Sequence, residues 1–281
     1  MEDTGYLPRV AFLLDNVMHK VGLHGKAIIP LIMGYGCNVP ACYACRIMET
    51  QRERLISAFA VTFIPCAARL VVVYGLVGSF VGIEWAYALL LVNLVIVMGM
   101  ARLAFKVCPG ESMGLIMEVP PLRLPTVRVV LAQTWNSAKS IIRVVFPVYI
   151  FGGGILAVLY SFNVLQPVEG FLTPLTVGWL GLPAYAGTAL LFGVVRKEMV
   201  IIIPAIVFGT TNFASMFTPV QMMTFAFVAM YYVPCAATFI MLKKEFGWKT
   251  ACYITLFEVA FAMLLGGLFY RALDAVFNGF V

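Results

Sequence analysis

The chain has 281 residues, of which 62% are hydrophobic and 11% charged, with a mean hydropathy of +0.97. These values exclude a soluble globular domain and place the chain in a lipid bilayer as a multi-pass membrane protein. The net charge of +6 sits on Lys and Arg residues that collect between apolar segments, a pattern of membrane topology rather than of nucleic-acid binding.

The N-terminus, MEDTGYLPR, opens on acidic residues and lacks a basic region followed by a small-residue cleavage site, so no cleavable signal is expected. Tyr6, Val10, Leu13, Leu14, Val17 and Val21 recur at helical spacing against Arg9, Asp15, Asn16 and Lys20, which predicts a helix lying in the membrane interface. Residues 26 to 45 are apolar but interrupted by Pro30, Gly34, Gly36 and Pro40, which predicts a re-entrant or discontinuous segment. Two spans follow at 55 to 82, broken at Pro65, and at 84 to 107. A polar connector holds Pro109, Pro120, Pro121 and Pro125. A second interfacial helix is expected over 127 to 143, running into a span near 144 to 162. Three more crossings are read at 168 to 182, 185 to 208 and 220 to 242, and a last one at 251 to 270.

The expected fold is therefore all-α and polytopic, with about seven or eight membrane segments that include broken or re-entrant helices. It divides into a first repeat at 1–110, a connector with an interfacial helix at 111–143, and a second repeat with the C-terminal span at 144–281. Positive charge orients the chain: Arg46, Arg52 and Arg54, then Arg102 to Arg143, then Lys243, Lys244 and Lys249 form three basic connectors. All three lie on the cytoplasmic side if two crossings separate the first pair and four the second, as hydropathy gives. FIPCAARLVV at 63–72 and YVPCAATFIM at 232–241 share a Pro-Cys-Ala-Ala core and, by that count, run in opposite directions. Inverted repeats of this kind are a transporter signature, with the site at broken helices near the membrane midplane.

Three of the seven cysteines fall in GYGCNVPACYACR at 34–46. The spacing of Cys37, Cys42 and Cys45 matches three ligands of a plant-type iron-sulfur site, with Cys66 as a distant fourth. A different grouping takes one cysteine from each break: Cys37 after Gly36, Cys66 after Pro65 and Cys235 after Pro234. Thiols and freed carbonyls, with the side chain of Asn38, would there converge on a divalent transition metal. Ordinary packing of small apolar thiols is the competing reading.

Charges inside apolar runs need partners or a purpose, since each costs about 2.5 to 3.5 kcal/mol at a helix centre. Arg69, Arg196 and Lys197 would repel a cation and are expected to brace or gate, with Glu198 and Glu258 as their counter-ions. His19 and His24 flank the first interfacial helix and are candidate metal ligands. Gly25-Lys26 does not form a phosphate-binding loop, because position 20 is Lys and position 27 is Ala. No Ser-His-Asp or HExxH pattern offers hydrolysis, so no catalytic residue and no enzymatic activity is expected.

The stretches EDTGYLPRVAFLLDNVMHKVGLHGKAIIPLIMGYGCNVPA at 2–41, PCAARL at 65–70, EVPPLRLP at 118–125, VRKE at 195–198 and YVPCAATF at 232–239 together resemble the membrane part of ferrous iron transport protein B, the FeoB family. The resemblance covers nearly the whole chain in family order. It implies Fe2+ uptake across the cytoplasmic membrane through paired gate-type repeats, with the family's cysteines mapping onto Cys37, Cys66 and Cys235. Cys42 and Cys45 fall where the family more often has other small or apolar residues, and Val71 stands where it usually has Pro. Family members carry a GTP-binding domain, a helical coupling domain and a first membrane segment ahead of EDTGY, so the chain looks like a truncated or split permease part. The resemblance thus implies a GTP-binding domain or protein as partner and Fe2+ as transported substrate; no tightly bound cofactor is expected, and the sequence leaves open whether the chain forms a homo-oligomer. Two other readings stay open: a gate-repeat transporter of another solute such as nucleosides, and a membrane iron-sulfur redox protein.

Overall fold

The computed structural model describes residues 6–108, 126–161, 170, 173–209 and 212–278. Every regular element among them is helical, the form in which a single segment satisfies its own backbone groups in lipid. Helix α1 (Tyr6–Val21) buries Ala11 and Met18 and leaves Phe12 and Leu13 exposed, so it carries an apolar outer face. It ends at Gly22, whose φ of 86° turns the chain back.

Helices α2 (Ile28–Gly36) and α3 (Asn38–Ala44) are separated only by Cys37, an extended residue, and fold back against each other as a hairpin. Helix α4 (Gln51–Phe63) is capped by Thr50, whose hydroxyl accepts the Glu53 N–H at 3.2 Å. It breaks at Ile64–Cys66 and resumes as α5 (Ala67–Val72), which widens into a π turn over Val73–Gly78. Gly82, at φ 143°, then redirects the chain into α6 (Ile83–Val107).

Helix α7 (Val127–Ser161) is one continuous 35-residue element containing Pro147, so the expected interfacial helix and the span after it are joined through residue 143. The Pro-rich connector at 109–125 and most of the approach to the expected 168–182 crossing lie outside the described residues. After a π turn at Pro174–Trp179 come α8 (Ala184–Gly193) and α9 (Met199–Phe208). Sequence periodicity reads 185–208 as one crossing; instead α8 and α9 fold back on each other around Val194–Glu198. Arg196, Lys197 and Glu198 fill that turn, and Gly193 lets Val200 approach so closely that a Cβ would sit 2.4 Å from its side chain.

Helix α10 (Pro219–Tyr231) starts on a capping box between Thr218 and Gln221. It breaks at Tyr232–Cys235 and resumes as α11 (Ala236–Phe246); Gly247, at φ 87°, leads into α12 (Trp248–Asn278). The order hairpin, broken span, glycine corner, long span thus occurs twice.

The two copies run in opposite directions. Arg46, just before α4, donates from Nε and Nη2 to the Glu245 carboxylate at 2.6 and 2.7 Å, so the start of the first broken span meets the end of the second. Arg52 donates to the carbonyls of Phe105 and Cys108, and Arg102 to that of Lys20, bringing the ends of α6 and α1 to the same pole. At the other pole the Phe80 and Phe213 rings meet at 5.7 Å.

Four helices among the described residues are long and apolar enough to cross a membrane: Gln51–Gly78, Ile83–Val107, Pro219–Phe246 and Trp248–Val276. Over an apolar 18-residue stretch the two broken spans are 67% and 72% buried and the two continuous ones 28% each, so the broken spans lie inside the protein and the unbroken helices carry the outer apolar surface. An aromatic cluster joins the broken spans, with Phe63 and Tyr231 packed on Phe261 at 5.2 and 5.6 Å.

Candidate functional site

The breaks set the chemistry of the site. Pro65 and Pro234 have no N–H to donate, and the extended backbone at Ile64 and Tyr232 leaves carbonyls of the preceding turns without helical partners. In a dry interior each orphan carbonyl must be met or it costs about 1–3 kcal/mol. Arg69, 1% exposed, donates from Nη1 to the carbonyls of Thr62 at 2.7 Å and Ile64 at 3.4 Å, and from Nη2 to that of Tyr232 at 3.5 Å. Asn38 donates to Ile64 O at 3.4 Å, and Asn93 reaches both Phe63 O at 3.1 Å and the Tyr231 hydroxyl at 2.9 Å. Lys197 donates to Val233 O at 2.5 Å and lies 4.5 Å from the centre of the Tyr232 ring, while Ala236 N–H donates to Val194 O at 2.9 Å. These donors therefore stitch each hairpin to the broken span of its own copy, while Arg69 and Asn93 reach across to the other copy.

All four breaks border one cavity of about 200 Å3. Gly36, Cys37 and Asn38 come from the first hairpin; Cys66 and Arg69 come from the first broken span. Lys197 and Glu198 come from the second hairpin; Cys235 and Thr238 come from the second broken span. Cys37, Cys66 and Cys235 each occupy the cap position before a half-helix, at the starts of α3, α5 and α11. Cys37 is exposed to the cavity mouth, the other two are half-buried, and Cys235 Sγ lies 3.2 Å from Thr238 Oγ1. The Asn38 amide oxygen is buried with no hydrogen-bond partner. Three thiols and one unmatched carbonyl oxygen are a donor set for a divalent transition metal.

The sulfurs border one cavity without forming a closed cage. Among the described residues, Asp15, His19 and His24 are the one set of three His, Cys, Asp or Glu ligand atoms lying within 4.8 Å of one another. A tetrahedral thiolate site with bonds of about 2.3 Å needs sulfurs about 3.8 Å apart. Three sulfurs at these positions could not all bind one ion at once unless the halves close.

The remaining charges fall elsewhere. Arg196 and Glu198 pair with each other at 3.7 Å, both partly exposed, so Glu198 is the counter-ion of Arg196 rather than of the buried cations. Glu258 is 1% exposed and does not border the cavity; neither carboxylate oxygen makes a hydrogen bond within normal geometry, and it lies in electrostatic reach of Arg69 and Lys197. Its neighbour Thr62 has its hydroxyl proton on the Phe59 carbonyl at 2.8 Å. Cys42 and Cys45 are fully buried in the core, with Cys45 donating to Ala41 O, so the three-cysteine window forms no thiol cluster. Sequence reasoning missed Asn93 and Thr238. The first was visible as a lone amide in LLLVNLVIV, the second as a hydroxyl three residues after Cys235 on the same helix face.

A family model described as Gate, nucleoside recognition, matches residues 1–80 and 142–249, and each matched stretch holds one hairpin and one broken span. A second, described as the C terminus of ferrous iron transport protein B, matches residues 86–136. The chain is similar to the Fe(2+) transporter FeoB of Methanocaldococcus jannaschii, 32% identical over 94% of this chain and 44% of that protein. It is similar to FeoB of Staphylococcus aureus strain MSSA476, 31% identical over 96% of this chain and 44% of that protein. It is also 27% identical, over 96% of its length and 40% of the relative, to an Fe(2+) transport protein A/Fe(2+) transporter FeoB fusion protein of Porphyromonas gingivalis. The chain thus spans less than half the length of these relatives. No solved structure matches it.

Proposed function

The chain belongs to the Gate family, and on that premise we propose that it is the Fe2+-conducting membrane part of a FeoB-type transporter in the cell membrane. The observation that carries this is the convergence of four helix breaks on one small cavity bordered by Cys37, Cys66, Cys235 and Asn38. The names of the relatives supply the metal; the cavity supplies donors suited to it.

Hydrated Fe2+ enters by exchanging water for one or two thiolates and the Asn38 carbonyl oxygen. A charged sulfur at each half-helix start is favoured by the positive end of the helix dipole, and its charge offsets that of the ion. Fe2+ sits low in the divalent affinity order, so selectivity rests on geometry, exchange rate and supply rather than on the strength of thiolate binding. Arg69 and Lys197 keep the broken backbone in shape beside the ion path, and the two inverted copies give two arrangements that open to opposite sides. A GTP-binding domain or partner protein biases that equilibrium, acting near the pole where Arg46, Arg54 and Glu245 join the copies.

The test is anaerobic 55Fe2+ uptake into vesicles holding the purified chain, with and without a separately expressed FeoB GTPase domain and GTP. Each of Cys37→Ser, Cys66→Ser and Cys235→Ser is expected to lower uptake at least tenfold while the protein stays monodisperse. Wild-type rates in all three would end the ligand assignment, and full-rate uptake indifferent to GTP would end the gating one. The alternative solute, a nucleoside, is disfavoured by size: about 200 Å3 lies below the roughly 300–1,000 Å3 of sites for organic ligands. Uptake of labelled uridine independent of Fe2+ would favour it instead.

A further inference from the structure

We propose that Asp15, His19 and His24 form a second divalent-metal site, separate from the cysteine-lined cavity and set at the pole that carries the basic connectors. Asp15 and His19 lie one turn apart on α1, and the left-handed turn at Gly22 brings His24 back so that the two imidazoles meet edge to face at 4.7 Å. One donor atom from each of the three lies within 4.8 Å of the others. Bonds of about 2.0–2.2 Å to nitrogen and oxygen set neighbouring donors about 3–4 Å apart, so small side-chain rotations close the set around an ion.

Two of the three donors are already held in place. Asp15 Oδ1 accepts the Gly25 N–H at 2.7 Å, which leaves Oδ2 facing His19 Nε2 at 3.2 Å. Gly25 packs so tightly on α1 that a Cβ there would come 2.2 Å from the Ala11 carbonyl oxygen, which fixes this loop against the helix. His24 Nε2 lies 2.9 Å from Glu53 Oε1, and the residue is only 8% exposed. Nε2 thus faces a carboxylate at ion-pair distance, while the other ring nitrogen, Nδ1, is buried with no hydrogen-bond partner. A carboxylate on the far ring nitrogen is what orients a metal-binding imidazole, and a buried ring nitrogen without a partner is costly unless an ion takes its lone pair. His19, 48% exposed, provides the open side through which an ion and its waters arrive.

Two imidazoles, one carboxylate and remaining water positions suit Fe2+ and its neighbours in the divalent series, Co2+ and Zn2+ among them. No thiol takes part, so the site differs in chemistry from the cavity. An ion bound here ties the end of α1 to the 22–25 turn and, through Glu53, to the first turn of the broken span α4.

Binding is read on the full chain in lipid nanodiscs, titrated anaerobically with Co2+, in a Cys37→Ser, Cys66→Ser, Cys235→Ser background that leaves α1 intact. One equivalent is expected, with the d–d spectrum of nitrogen and oxygen ligands and no sulfur-to-cobalt charge-transfer band. His19→Ala, at an exposed position with little bearing on folding, lowers its affinity at least tenfold. Glu53→Gln lowers it by about 10- to 100-fold without removing a ligand. No bound equivalent, an affinity unchanged in His19→Ala, or a thiolate band on that equivalent would each overturn the site. None of these readouts depends on transport, so the result stands or falls apart from the function proposed for the cavity.

Discussion

At the residue scale, the buried cations earn their place through backbone geometry. Arg69 meets three carbonyls, two in its own copy and one in the other. Arg69→Met leaves the Thr62 and Tyr232 carbonyls unmet and the Ile64 carbonyl with Asn38 alone, and at about 1–3 kcal/mol per unmet buried group the loss is expected to reach about 2 kcal/mol or more, read as a lower melting temperature in detergent. Arg69→Lys recovers only part of this, because one ammonium lacks the planar fork that spans the separate acceptors. Cys66→Ser at the same break changes no such bond and leaves the melting temperature near wild type, whatever it does to uptake. An unaltered melting curve for Arg69→Met would show that the carbonyls find other partners. The sequence exposed Arg69 and Lys197 as charges that need partners in an apolar run, but suggested carboxylates. Their partners are carbonyls freed by prolines, which a one-dimensional reading does not display as acceptors.

At the element scale, each copy turns from its broken span into its long helix on a glycine of positive φ, Gly82 at 143° and Gly247 at 87°. A side chain at such a corner strains the backbone by about 1–3 kcal/mol. Gly82→Ala and Gly247→Ala are each expected to destabilise within that range, whereas Gly36→Ala, where a Cβ meets nothing within 4 Å, leaves thermal stability unchanged. Equal melting of all three variants would remove the corner argument. The breaks at Cys37, Pro65 and Pro234 were legible because Gly and Pro interrupt a helix for local reasons. The turn at Val194–Glu198 contains neither, and apolar periodicity continues on both sides of it, so it read as one crossing. Whether such a segment crosses or folds back is decided by what packs against it, here α9 against α8 and Val200 against Gly193. The opposite error fell at residue 143, where polarity shifts but helix α7 continues; hydropathy follows the surroundings of a helix, not its ends.

At the scale of the whole molecule, the inverted arrangement has a visible fastening. Glu245, its side chain 2% exposed, accepts from Nε and Nη2 of Arg46 and from Nη2 of Arg54, joining the start of the first broken span to the end of the second. Arg46 is half exposed, so screening limits its share, and Glu245→Gln is expected to cost about 1–2 kcal/mol, chiefly from the better-buried Arg54. The same arrangement fixes sidedness. Gln51 and Lys249 lie at the pole of the basic connectors, while Ser79 and Ser215 lie near the opposite pole, where Phe80 meets Phe213. Because Lys and Arg are retained on the cytoplasmic side, Gln51→Cys and Lys249→Cys should resist a membrane-impermeant maleimide in intact cells and react once the membrane is opened. Ser79→Cys and Ser215→Cys should react from outside, with native thiols separated by mass spectrometry of the labelled peptides. Labelling of positions 51 and 249 from opposite sides would contradict the antiparallel pairing of the copies, and with it the shared cavity that their four breaks enclose.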